Sequence, residues 1–365
     1  MTMDTRITRR RLMTAAGAGA LGIGMVPMFQ IVSHAQGKLT EVSLTLPWIP
    51  HGAYAAFIVA RELGYWKKRG LDVTVSRGYG SPDALKRVGL GQFEYGDASF
   101  SALIQTVAQG MDLVGLGLHM QVSPLAVFSL KKKGIKAPKD LEGKIVGATP
   151  TTGDFHLFPA FAKAAGIDPS KIKWKFLDPH LRAQSLLQGD IDALTGYYST
   201  DAAPLWVAGA DIDIMSYYKY GIKMYDTGVF ATRAQIDKAP EVTRGIVEGA
   251  MEGLKFTYLE PAQTLDIHIR AEKEFQGSEK LRQTVKYQIA INTALGLAPG
   301  PKEHGLGWFI PEEVQENVKI AAEYMSLPKQ VNPSAIYTNK YLGAVKLTPA
   351  EWTRVAKDVK PYVLW

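Results

Sequence analysis

The sequence predicts an α/β protein of two lobes, each a mainly parallel sheet flanked by helices, with a helical C-terminal region. Three observations carry that reading. Short strand-like segments alternate with single helical segments, the order that builds parallel βαβ units. The alternation restarts after residue 124, and beyond about residue 235 the apolar spacing becomes helical. A chain of 365 residues also fits about two domains.

The elements follow in order. Val42 to Leu46 alternates apolar and polar residues as a half-buried strand does. After a loop, Ala53, Ala56, Phe57 and Ala60 share one face of a helix. Leu71–Ser76 is the next strand, and Ser81-Pro82 opens a helix with proline in its first turn. A strand over Phe93–Asp97, a helix over Ser101–Gln109 and a strand over Leu113–Leu118 complete the first set. The second set reads as strands at Leu125–Phe128, Ile145–Gly147, Trp174–Phe176, Ile191–Leu194 and Ile212–Ile214, with a helix starting near Gly153. Gly91 and Gly189 repeat one logic, a helix ending at glycine with a short strand after it. Towards the C-terminus Val247, Ala250, Met251 and Leu254 form one helical face, and Pro311 opens a helix carrying Val314 and Val318.

The first 35 residues read as an export signal. Arg9 and Arg10 sit in a twin-arginine pattern, a Gly/Ala-rich apolar stretch follows, and small residues place the cleavage after Ala35. A retained membrane anchor is the alternative. Gly17 to Gly22 spells GxGxxG, but no strand precedes it, so a dinucleotide site is excluded. The whole chain carries a formal charge of +7; without this segment 38 Lys and Arg face 34 Asp and Glu. That balance suits a soluble periplasmic protein and excludes a nucleic-acid footprint.

No catalytic or metal constellation stands out. The chain has no cysteine, which removes thiol nucleophiles, Cys-ligated zinc and iron–sulfur clusters. The seven histidines are scattered, and no nucleophile elbow, phosphate loop or HExxH spacing occurs. The reading is therefore no enzyme, no cofactor and no metal.

Residues that follow the strands look different. Open α/β sheets bind ligands beyond the carboxyl ends of their strands, where helix N-termini present free amides. Those places hold Trp48, His51 and Tyr54, then Tyr79 and Ser81, then Ser99 and Ser101. In the second half they hold Thr151, Thr152, Asp154 and Tyr197, with Tyr225 and Asp226 at the return crossover. Aromatic walls with a few hydroxyls and carboxylates suit a small, flat, polar ligand. Arg77 and Arg182 are the nearest cations and read as surface residues; Tyr217, Tyr218 and Tyr220 read as surface packing.

Several blocks then carry a resemblance. Leu46 to Pro50, Ala60 to Val73, Leu141 to Gly147, Gln188 to Ala193 and Tyr337 to Leu342 resemble the periplasmic solute-binding proteins of ABC importers. The branch is the one that groups sulfonate- and taurine-binding with thiamine-pyrimidine-synthase-like proteins. The resemblance implies a type II periplasmic-binding fold, in which a ligand is closed between two lobes. It also implies an ABC permease and its ATPase as partners, and it places Trp48 where such proteins stack a pyrimidine ring. Where the family's pyrimidine synthase keeps its cofactor lysine and sacrificial histidine, this sequence has Ser101 and Gln105. Serine offers no amine for a Schiff base.

The expected protein is thus an exported, monomeric binding protein that catalyses nothing. It carries a signal over residues 1–35, lobe 1 over 36–124 and again from 228–365, and lobe 2 over 125–227. Its expected ligand is a planar heterocycle such as a thiamine-pyrimidine precursor. A pyrimidine-synthase-like enzyme and a binder of sulfonate, taurine or nitrate are the alternatives.

Overall fold

The computed structural model describes residues 38–365; the twin-arginine pair Arg9 and Arg10 and the cleavage after Ala35 lie outside the described residues. The strands are β1 Thr40–Thr45, β2 Leu71–Ser76, β3 Tyr95–Ser99, β4 Leu113–Leu118 and β5 Leu125–Leu130. They continue as β6 Ile145–Ala148, β7 Lys173–Phe176, β8 Ala193–Tyr197, β9 Ile212–Ser216 and β10 Thr227–Thr232. Two five-stranded sheets result, ordered β2-β1-β3-β10-β4 and β7-β6-β8-β5-β9. Among the described residues no helix is long and apolar enough to cross a membrane.

Each sheet is mainly parallel, as expected, with one strand reversed. The first three strands of each order are parallel to one another, and the fourth, β10 or β5, runs antiparallel to both neighbours. The reason is the route of the chain. It leaves the carboxyl end of β4 at Leu118 and enters β5 at Leu125, then leaves β9 at Ser216 and returns into β10 at Thr227. A strand entered from the same edge at which its neighbour ended must run the other way. Strand β10 was not anticipated, because its short Gly-Val-Phe-Ala run has neither alternation nor a flanking turn signal.

The two crossovers lie side by side. The amides of His119 and Met120 both donate to the Thr227 carbonyl (3.0 and 3.1 Å), and Asp226 N donates to Met120 O at 3.2 Å. Ser123 N donates to Met224 O at 2.9 Å. This short irregular ladder forms the floor between the lobes.

The internal repeat is structural. Gly91 and Gly189 both adopt left-handed φ, +72° and +84°, each four residues before the strand third in its sheet, β3 or β8. Glycine is the residue that takes this conformation without a Cβ penalty.

Helix Pro240–Leu259 buries Val247, Ala250, Met251 and Leu254 against the first sheet, as its spacing predicted. It approaches helix Ala55–Glu62 so closely that a Cβ at Gly253 would lie 2.1 Å from the Ala56 carbonyl oxygen. Helix Glu279–Gly296 then spans both lobes: Val285 and Ile289 pack near Ala55, while Ile291 and Leu295 join the core around Phe128 and Tyr198. The C-terminal chain also covers the edge of β4. Gly115 N donates to Ile336 O, Thr338 N to Gly115 O, and Leu118 N to Gly307 O, which removes an open strand edge.

Candidate functional site

A cavity of about 530 Å³ lies between the lobes. Parallel strands present their carboxyl ends to it and antiparallel β10 its amino end, which is why Asp226 and Thr227 reach the same space as Ser99. Of the residues expected from sequence, Trp48, His51, Tyr54, Tyr79, Ser81, Ser99 and Ser101 line it from the first lobe. Thr151, Thr152 and Tyr197 line it from the second, and Asp226 lies in the floor.

The first wall is set by two loops that lock together. Gly80 N donates to Pro47 O at 2.6 Å and Gly78 N to Trp48 O at 3.3 Å. A Cβ at Gly78 would stand 2.0 Å from the Leu46 carbonyl oxygen, so only glycine lets the loops after β1 and β2 meet. Trp48 is thereby held half-buried on the wall, and Tyr79 stands at the mouth, 68% exposed, with the Arg77 guanidinium 4.7 Å from its ring centre. Ser99 N donates to the Ser81 hydroxyl oxygen at 3.0 Å, which ties the third loop to the second.

Behind this wall sit buried ionisable groups. Burial, helped by His268, lowers the His51 imidazole to about 3, so the ring is neutral. Its Nδ1 accepts from Ala53 N at 3.2 Å, which leaves the proton on Nε2, and Nε2 has no partner among the described residues. Asp97 and His119 form a fully buried pair at 3.0 Å. Burial raises the Asp97 carboxyl, against the pull of His119. Burial also pushes Asp226 up to about 7; Thr227 and His119 oppose this and Asp97 adds to it.

The second lobe corrects several expectations. Arg182 is not a surface residue: it is 4% exposed and lies between Asp201 at 3.2 Å and Asp154 at 3.6 Å. Asp154 is fully buried, takes the Thr195 hydroxyl at 2.8 Å, and lies behind the cavity wall instead of lining it. Tyr225 does not line the cavity either. Its ring packs against Phe100 and Phe309, and its hydroxyl oxygen accepts from Ile310 N at 3.0 Å. Asp154 follows β6 and Tyr225 precedes β10, both beside the cavity, but packing turned their side chains into the core. Tyr217 is buried as well, stacked on Phe161 at 4.4 Å, because β9 carries it under the second lobe.

Tyr197 keeps its expected place. Its hydroxyl oxygen accepts from Gly153 N at 3.0 Å, so its O–H proton is available to the cavity. Its own amide donates to Asp201 Oδ2 at 2.7 Å.

Sequence reasoning missed Asp83, His156, His180 and Asp201 as lining residues. Asp83 and Asp201 lie in the first turns of helices Ser81–Gly89 and Tyr198–Val207. An acidic residue just inside a helix start was the available signal. Among the described residues the lining includes no lysine; Ser101 and Gln105 both belong to it. Among the described residues no group of three or more His, Asp or Glu could hold a metal ion. Chemically the site offers aromatic faces, hydroxyl donors and carboxylates, with its one lining arginine already paired.

Comparison with known proteins agrees with this architecture. The chain is 21% identical to the riboflavin-binding protein RibY of Chloroflexus aurantiacus, over 85% of this chain and 88% of that protein. It is also 21% identical to the 4-amino-5-hydroxymethyl-2-methylpyrimidine phosphate synthase of Legionella pneumophila, over 83% of this chain and 92% of that protein. In structure it is similar to the periplasmic aliphatic sulphonate binding protein SsuA of Escherichia coli, with a TM-score of 0.63 at 15% identity, over 83% and 99% of the two chains. That likeness establishes the two-lobed periplasmic-binding fold. The sequence profile described as NMT1/THI5 like matches residues 52–264, more than half of the chain, and the protein belongs to that family.

Proposed function

We propose that this protein is a periplasmic solute-binding protein that captures a small planar heterocycle between its lobes and hands it to an ABC importer. The carrying observation is the charge arrangement of the cavity. Its one lining arginine, Arg182, is already held by Asp201 and Asp154, while Asp83, Asp201 and Asp226 all line the space. A sulfonate or nitrate would need an uncommitted cation there. Two of the helix N-termini that open on the cavity are met by acids of their own first turns, Asp83 and Asp201. Trp48, Tyr54 and Tyr197 supply flat apolar faces on both sides, which suits a ring.

Capture without catalysis is the reading that Ser101 and Gln105 support, since neither provides an amine or an imidazole. Closure about the paired crossovers, Met120 to Ser123 against Met224 to Thr227, is the proposed motion. It divides the chain at residues 124/125 and 227/228, and the protein acts as a monomer. Export by the twin-arginine route through Arg9 and Arg10, with cleavage after Ala35, delivers it to the periplasm.

Native mass spectrometry of the protein purified from its own periplasm tests the reading. A co-purified mass matching a flavin or a pyrimidine is expected. A sulfonate or nitrate in its place overturns the heterocycle, and a pyrimidine product released on incubation with pyridoxal phosphate, iron and oxygen overturns the absence of catalysis.

A further inference from the structure

We propose that helix Pro311–Tyr324 is a strap between the lobes, and that its clasp on Lys163 sets how widely the cleft stands open. The inference rests on the hinge motion proposed above and on nothing about the ligand.

Each crossover is fastened to a helix. On the first, Gln121 N and Val122 N donate at 2.9 and 3.0 Å to Leu295 O, in the last turn of helix Glu279–Gly296. On the second, Asn317 Oδ1 accepts from Tyr225 N at 2.7 Å, and its Nδ2 donates to Lys223 O at 3.2 Å. Asn317 is 1% exposed, so these bonds are shielded from water. The Tyr225 hydroxyl oxygen also takes Ile310 N, which precedes the same helix. Helix Pro311–Tyr324 is thus held at its start and its middle to the chain about which the lobes turn.

The apolar face of this helix, with Val314, Val318 and Ala321, shares one continuous cluster with Leu103 of the first lobe and Phe161 of the second. Its last turn reaches the second lobe at an exposed clasp. Lys163 Nζ, on helix Phe158–Ala165, donates to Glu323 Oε1 at 2.8 Å and stands 5.7 Å from the centre of the Tyr324 ring. Met325, the next residue, lines the cavity, whereas Lys163, Glu323 and Tyr324 lie outside the lining.

The two fastenings differ in what breaking them costs. Pulling Asn317 off the crossover would strand buried polar groups. The Lys163 and Glu323 side chains are 70% and 46% exposed, so water replaces either partner and the clasp can open and re-form. With the clasp made, Trp48 of the first lobe meets His180 of the second. Opening the cleft about the crossovers carries Lys163 away from Glu323, since one moves with the second lobe and the other stays with the strap. The clasp therefore favours the closed state and strengthens binding of anything that touches both lobes. An exposed pair of this kind shifts the open-to-closed ratio by about 2-fold to 5-fold.

Interlobe distances test this directly. The chain has no cysteine, so Lys86→Cys on helix Ser81–Gly89 and Lys175→Cys on β7, both at exposed positions, take one spin label on each lobe. Pulsed dipolar spectroscopy then reads the separation. In this background Lys163→Glu should raise the longer-distance share relative to the shorter by about 2-fold to 5-fold. Adding Glu323→Lys, which restores the pair with its charges exchanged, should bring the distribution back. Melting temperatures should stay close to wild type, because both positions are exposed. Two distances that Lys163→Glu leaves unmoved or shortens, or a longer share that Glu323→Lys does not reduce, overturn the clasp and leave the hinge standing. One narrow distance common to all three proteins overturns the hinge motion as well.

Discussion

The indole of Trp48, from the first lobe, lies over the imidazole of His180, from the second, with ring centroids 5.5 Å apart and planes 26° from parallel. The lobes thus touch through aromatic faces at the cavity wall. A flat ring seated between these two needs about 7 Å, twice the van der Waals separation of carbon atoms. Ligand entry on this wall therefore replaces one stack by another.

Trp48→Ala should weaken ligand binding by about 10-fold to 100-fold, or about 1.4–2.8 kcal/mol. The ligand-free protein should melt nearly as the wild type does, since the indole is only half-buried. Calorimetry and apo-state melting on the same variant decide the matter. A stability loss of about 3–5 kcal/mol with unchanged affinity would make Trp48 a core residue.

Arg182→Met should cost about 3–5 kcal/mol of stability, because it leaves Asp154 and Asp201 buried without their cation. Burial already raises the Asp201 carboxyl and Arg182 opposes it, so removing the arginine raises it further. The penalty is therefore largest at neutral and alkaline pH and shrinks as the Asp201 carboxylate protonates. Urea unfolding at pH 5 and pH 8 reads the difference; an equal loss at both values would contradict the pairing.

The buried histidines behind the first wall should make the fold acid-sensitive. Burial and the Arg61 guanidinium lower His268 to about 4, and His51 lies at about 3. Both folded values are depressed, so the contribution is present above the unfolded value of about 6.5 and is lost as pH falls towards 4. His268→Phe, at a fully buried site beside Phe275, removes one such group. Against this variant the wild type should lose up to about 1.4 kcal/mol per pH unit between pH 6 and 4. Parallel stability curves for the two proteins would refute the assignment.

Gly253→Ala should destabilise the protein by about 1–3 kcal/mol although alanine is the better helix former by about 1 kcal/mol. The added Cβ collides with the Ala56 carbonyl at 2.1 Å, so helices Pro240–Leu259 and Ala55–Glu62 must part. A shift in denaturation midpoint with unchanged ligand affinity is expected. Stabilisation would show that the helices do not approach as described.

Local chemistry was enough to read most of this architecture. Alternation placed β1, the order of strand-like and helical segments placed β2 and β4, glycines at 91 and 189 marked the repeat, and aromatic residues after strands located Trp48, His51, Tyr54 and Tyr197 on the cavity. Those signals are carried by neighbours in sequence, where period and turn chemistry act. The direction of β10 and β5 was decided by the chain's route between lobes, which no local pattern encodes. Arg182 illustrates the same limit. A lone arginine in a polar stretch reads as exposed, and only the fold brings Asp154 and Asp201 to it, from 28 and 19 residues away, so that its charge can be buried. Tyr225 and Asp226 show it most sharply: adjacent on one crossover, one ring turned into the Phe100–Phe309 cluster and one carboxyl into the cavity. Which way each points depends on what packs behind it, and that is a property of the tertiary structure alone.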